Sequence, residues 1–291
     1  MTFNDGARLD PSKVKRRRRA AGVGAGAGGL GVIVIFLASQ LLGVDLTGLV
    51  GGGGVPGGGT QSEDQALEQC QTGEDANESV ECRMVGAATS LDDYWAEAAP
   101  TIGLTDYVTP GFFLFSGSTD TGCGSATSAV GPFYCPADTS IYIDTGFYED
   151  LRTRYGSSGG PLAQLYVVAH EWGHHIENQL GILERSRDGQ TGPTSAGVRV
   201  ELMADCFAGA WTAAASGTED PSGRPLLEPV TDAQIRDALS AAAAVGDDRI
   251  QGTDANSHTW THGSSEQRQR WFLTGYQGGA TACDTFAVEV P

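Results

Sequence analysis

The stretch PLAQLYVVAHEWGHHIENQL, residues 161–180, decides how this chain is read. It opens with Pro161, a residue favoured in the first turn of a helix, and stops at Gly181. On the helix so predicted, His170 and His174 are four apart and lie on one face, one turn above the other. His175 is rotated about 100° further round at 3.6 residues per turn, so it cannot share that face. Three of the chain's five histidines therefore divide into two candidate metal ligands and one bystander. Glu171 lies beside the pair, where it can accept a proton from a metal-bound water.

This is the H-E-x-x-H arrangement of zinc peptidases. Catalytic zinc typically takes three protein ligands and a water, so a third ligand is expected. The extended motif with a third histidine is excluded, because Glu177 stands at its glycine position and Leu180 at its last histidine. The next predicted helix, TSAGVRVELMADCFAGAWTAAA (194–215), offers Glu201 and Asp205 at i, i+4 instead. Glu201 would bind the metal. Asp205 would accept the second ring N–H of a ligand histidine and fix its tautomer. A carboxylate pair on a helix is ordinarily solvated. Here the surrounding residues (Val200, Leu202, Met203, Ala204, Phe207, Ala208, Ala210, Trp211) are nearly all apolar. A helix apolar nearly all round is buried, and buried carboxylates need a cation or a partner.

Around these two segments the chain reads as α+β, a small sheet first and helices after it. Residues 79–98 form an amphipathic helix ended by Pro100. YVTPGFFLFSG (107–117) and TSIYIDTGF (139–147) carry strand-like aromatic and β-branched runs. Between them STDTGCGSATSAVGPFYCPAD reads as a loop stapled by its two cysteines. Residues 231–245 open with a T-x-x-Q capping box and 264–276 with S-x-x-Q, so both are helices.

The formal net charge of −18 over 291 residues argues against nucleic acid as a partner, since phosphate neutralisation needs Lys and Arg. Yet seven of the 18 basic residues precede Val44, against two of the 36 acidic ones. This basic cluster abuts 25 uncharged residues, 20–44, with the apolar centre LGVIVIFLASQLLGV. About 20 apolar residues span a bilayer, and a basic flank stays in the cytoplasm. The expected plan is a cytoplasmic tail (1–19), one transmembrane helix (20–44), a Gly-rich linker (45–60) and an extracytoplasmic domain (61–291). A cleaved signal peptide is the competing reading of the apolar run. All six cysteines fall in the domain. Short spacing pairs Cys70 with Cys82 and Cys123 with Cys135, leaving Cys206 for Cys283. Without a C-x-x-C, disulfides are preferred to a structural zinc site.

Four segments together, AHEWGHHIENQLGI, ELMADCFAGAW, CGSATSAVGPFYCPAD and HGSSEQRQRWF, resemble the bacterial family described as "putative neutral zinc metallopeptidase". The resemblance covers most of residues 80–285. It implies a thermolysin-like core, in which an active-site helix and a ligand helix pack below a small sheet, and gluzincin-type ligands. By position His170, His174 and Glu201 match the metal ligands of one zinc ion, Glu171 the catalytic glutamate and Asp205 its supporting aspartate. A second oxyanion donor is expected besides zinc, with His262 the first candidate and His258 the second. The strand around Tyr142 is expected to pair with a peptide substrate. The leading reading is thus a membrane-anchored zinc endopeptidase acting on proteins or peptides. A non-catalytic zinc-containing surface protein and a zinc hydrolase of cell-envelope bonds are the alternatives. Oligomeric state is left open.

Overall fold

The computed structural model describes residues 2–18, 63–252 and 256–291. The expected anchor at 20–44 and linker at 45–60 lie outside those residues. Among the described residues, no helix is long and apolar enough to cross a membrane.

Along the chain come β1 (Lys15–Arg18), β2 (Glu63–Ala66), α1 (Gly73–Glu78), α2 (Val80–Ala98), β3 (Gly111–Phe115) and the hairpin of β4 (Ser118–Thr121) and β5 (Gly124–Thr127). Strands β6 (Phe133–Cys135) and β7 (Ser140–Asp144) lead into α3 (Phe147–Thr153) and α4 (Pro161–Gln179). The remaining helices are α5 (Ala196–Ala214), α6 (Asp232–Ala244), α7 (Asp247–Ile250) and α8 (Ser265–Gly278). The α+β reading therefore holds, with a small mixed sheet and a helical half. Both expected capping boxes form, at Thr231 with Gln234 and at Ser264 with Gln267.

The larger sheet has the order β2-β1-β3-β7-β6. Its three central strands run parallel, and the two edge strands are antiparallel to their neighbours. Strand β7 is buried at every position. Its period of two sends Ile141 and Ile143 into the main core with the helices. Tyr142 points the other way, stacked between Phe113 and Phe133.

Helices α4, α5 and α8 stack closely, and small residues set how closely. A Cβ on Gly173 of α4 would stand 2.8 Å from Cα of Ala204 on α5. At the next crossing, a Cβ on Gly275 of α8 would lie 1.8 Å from the carbonyl oxygen of Cys206 on α5. Only glycine permits backbone contact of this kind. The Cys206–Cys283 disulfide ties α5 to the segment after α8, and Cys70–Cys82 and Cys123–Cys135 also form, as spacing predicted.

The sequence reading sets residues 1–19 apart as a tail, whereas in the structure residues 2–18 pack on the domain. Phe3, Ala7, Leu9 and Val14 are buried in the main core. The Phe3 backbone N–H donates to Asn77 Oδ1 at 2.9 Å, and its carbonyl accepts from Asn77 Nδ2 at 2.9 Å. Its ring lies against Gly86, where a Cβ would be 2.5 Å away. The basic run becomes β1 between β2 and β3, with the Arg17 guanidinium 4.0 Å from the centre of the Phe113 ring. A charge run ordinarily reads as solvated; here the Arg17 side chain lies over an aromatic ring. Phe3→Ala is expected to lower stability by about 3–5 kcal/mol in urea unfolding, the usual cost of a buried aromatic truncated to alanine. An unchanged midpoint would mean that the segment is detached.

Candidate metal centre

Helix α4 carries His170, Glu171 and His174 past the face of α5 that carries Glu201 and Asp205. His170 Nδ1 lies 2.9 Å from Asp205 Oδ1, and its Nε2 is 3.2 Å from Glu201 Oε2. His174 Nδ1 lies 2.8 Å from Glu177 Oε2, and its Nε2 is 3.6 Å from Glu201 Oε1. Each ring thus turns Nδ1 toward a carboxylate and Nε2 toward Glu201. One donor atom from each of His170, His174 and Glu201 falls within 4.8 Å of the others. Two imidazole nitrogens and one carboxylate oxygen are a known donor set of catalytic zinc, with a fourth position left for water or substrate. The residues present therefore fit a zinc ion.

The supports lie in the same buried layer. Asp205 has no solvent exposure. It accepts from Arg268 Nε at 2.8 Å through Oδ2 and from Arg268 Nη2 at 3.0 Å through Oδ1, and the Tyr166 hydroxyl donates to it as well. A bidentate guanidinium fixes a carboxylate in direction as well as charge. Burial works against the charge on Asp205, but Arg268 and His170 outweigh it and hold the carboxyl below its ordinary value. Burial likewise opposes the charge on Glu201, and the imidazoles of His174, His262 and His170 hold it well below the carboxylate range.

Glu171 is buried, and burial with the nearby charge of Glu201 pushes its carboxyl up to about 7. That is the range in which a carboxylate serves as a general base near neutral pH. The backbone of Tyr134 in β6 also hydrogen bonds to it.

His262 arrives from a different element. Asp247, the first residue of α7, accepts through Oδ2 the backbone N–H groups of Thr261, His262 and Gly263, at 2.9, 2.7 and 2.9 Å. These bonds hold the loop before α8 in place, and Asp247 Oδ1 stands 3.3 Å from His262 Nδ1. Nε2 of His262 is buried with no hydrogen-bond partner, and the ring lines the same cavity as His170, His174 and Glu201. Such an orphaned buried group points to a ligand that it meets. Burial disfavours its charged form, but Glu201 and Asp247 outweigh burial and raise its pKa. The imidazolium donates from both ring nitrogens. His258 sits exposed on the 3-10 turn Ser257–Thr259 and does not line the cavity.

His175 stays outside the centre, as helical spacing predicted. Its Nδ1 is 3.1 Å from the Tyr134 hydroxyl and its Nε2 is 2.6 Å from the Val108 carbonyl. Burial lowers its pKa to about 4, so it joins α4 to the sheet as a neutral ring. The expectation for Tyr142 is corrected: its strand β7 is hydrogen bonded on both sides, to β3 and to β6. The strand at the edge of the sheet beside α4 is β6. Val130, Gly131 and Pro132, just before β6, line the cavity. Phe147, Tyr155, Val167, Val245 and Ile250 make the rest of its apolar wall. Sequence reasoning missed Glu177, Asp247 and Arg268. Glu177 has a signal, three residues after a ligand on the same helix; the other two are brought in only by tertiary packing.

These features make a His₂Glu donor set, able to hold one metal ion, on an α+β scaffold. The chain belongs to the family described as "putative neutral zinc metallopeptidase", whose model matches residues 8–286. An uncharacterized protein of Mycobacterium tuberculosis (strain H37Rv), Rv2575, is 50% identical over 293 residues, covering 99% of this chain and 98% of its own. YpfJ, an uncharacterized protein of Escherichia coli K12, is 38% identical over 268 residues, 89% of this chain and 86% of its own. No solved structure matches.

Replacing Glu201 by alanine removes the carboxylate of the candidate donor set, so the purified Glu201→Ala protein is expected to carry much less zinc than wild type in metal analysis. Zinc content equal to wild type would place the third ligand elsewhere.

Proposed function

We propose that the chain is a zinc-dependent endopeptidase whose ligands are His170, His174 and Glu201. The observation that carries this reading is the convergence of three groups on one cavity: the His₂Glu donor set, the buried base Glu171 and the unpartnered Nε2 of His262. Zinc held there supplies Lewis acidity toward a scissile carbonyl and a water of lowered pKa. Glu171 accepts the proton of the attacking water and passes it to the leaving amine. His262 donates from Nε2 to the developing oxyanion, while Asp247 fixes the other side of its ring. Asp205, clamped by Arg268, keeps His170 facing the centre. A structural zinc site closes with four protein ligands and needs no base, so Glu171 beside an apolar cavity favours catalysis.

The substrate reading is a peptide. Strand β6 ends the sheet beside the cavity, and an extended chain can add to such an edge by backbone hydrogen bonds. Two helices bearing the H-E-x-x-H and Glu ligands under a small sheet support a thermolysin-like core with gluzincin-type ligands. Three disulfides support an oxidising, extracytoplasmic compartment for the domain. Attachment to a membrane through residues 20–44 rests on their apolar sequence.

Glu171→Gln is expected to keep bound zinc and to lose casein hydrolysis by at least about 100-fold, as removal of a general base does. Full activity in that variant would sink the assignment. His262→Ala should cut kcat by about 100- to 1,000-fold with a smaller change in KM. An equal rise in KM at unchanged kcat would instead make His262 a ground-state contact.

A further inference from the structure

We propose that Glu177 is a positioning residue of the metal centre, fixing the tautomer and ring direction of His174. The proposal rests on the zinc reading above. Glu177 follows His174 by three residues on α4, so the two side chains meet on one face. It has no solvent exposure, and its Oε2 takes the 2.8 Å contact to His174 Nδ1. Its other oxygen, Oε1, has no partner. Among the described residues its ion-pair partner is His174 alone. A buried carboxylate with so few partners is costly. What it supplies is an acceptor for Nδ1–H, which leaves the Nε2 lone pair facing Glu201 and the centre.

The two ligand histidines are therefore set by different means. His170 depends on Asp205, thirty-five residues away on another helix, and through it on Arg268 of α8. His174 is set within its own helix, so one of the three candidate ligands is aligned wherever α4 forms. The test is zinc affinity of the full chain by chelator competition, with thermal unfolding of the zinc-free protein alongside. Glu177→Leu should weaken zinc binding by about 10- to 100-fold, the usual effect of removing such a partner. Glu177→Gln keeps an acceptor and should recover part of that loss at an unchanged zinc-free Tm. Unchanged affinity in both variants overturns the proposal, as does a fall in zinc-free Tm with zinc affinity intact. A wild-type chain that binds no zinc would instead defeat the zinc reading itself.

A second inference stands on the other end of the chain. In the β1–β2 ladder Arg18 pairs with Glu63, and Lys15 with Ala66. The two described segments thus end side by side, Arg18 against Glu63, at one corner of the sheet. With Phe3, Leu9 and Val14 in the same core as α4 and α5, residues 2–18 are part of the fold that holds the metal centre. We infer that the amino-terminal segment and the metal centre lie on the same face of any membrane, in place of the cytoplasmic tail that its basic run suggests. The test uses exposed single cysteines, Ser12→Cys in the segment and Ser158→Cys in the domain, each in the full chain in intact cells. A membrane-impermeant maleimide should treat both alike, before and after lysis. Labelling of Ser158→Cys in intact cells with Ser12→Cys reached only after lysis overturns the inference.

Discussion

Four buried carboxylates, Glu171, Glu177, Glu201 and Asp205, crowd together in this protein with the guanidinium of Arg268 among them. Their mutual repulsion is the constraint on which the rest of the structure depends. An uncompensated buried charge costs several kcal/mol or shifts its protonation, so such a group persists only with hydrogen bonds or a cation. Asp205 meets that need with Arg268, and Asp247 with three backbone N–H groups. Glu201 has only imidazoles nearby and a guanidinium nitrogen at 3.8 Å. With an oxygen near Nε2 of both His170 and His174, it is the carboxylate placed to share a metal with them.

The helical half exists to keep these groups at fixed distances. Backbone contact at Gly173 and Gly275 brings α4, α5 and α8 closer than side chains would allow, so that Arg268 reaches across to Asp205. On the other side, His175 and Tyr134 join α4 to β6, which sets the sheet edge next to Glu171. One helix therefore carries two candidate ligands and the buried Glu171, and is tied to the sheet edge. Its residues are buried along nearly the whole length, which leaves little freedom for any of the three.

Much of this was legible in the sequence because it is local. The i, i+4 spacing of His170 and His174 places two rings on one face whatever surrounds them. The apolar neighbours of Glu201 and Asp205 announced a buried helix, and short spacing gave two of the three disulfides directly. Other features were hidden for physical reasons. Arg268 and Asp247 act through tertiary contacts that no spacing encodes. Lys15–Arg18 read as the basic cytoplasmic flank of an apolar span, because nothing local reveals that β2 and β3 will flank it. Tyr142 lies in a strand that alternates like an edge strand, yet it is covered on both sides. Glu177 was weighed only against the glycine of a longer motif, so its spacing from His174 went unused.

The family match speaks to zinc chemistry in name, whereas the geometry makes a sharper statement about which atoms would hold an ion. X-ray absorption at the zinc edge of the purified full chain tests that statement most directly. The account predicts a first shell of nitrogen and oxygen only, two imidazole nitrogens with carboxylate and water oxygens, at about 2.0–2.2 Å. Sulfur scatterers at about 2.3 Å, or a shell without imidazole, would contradict it.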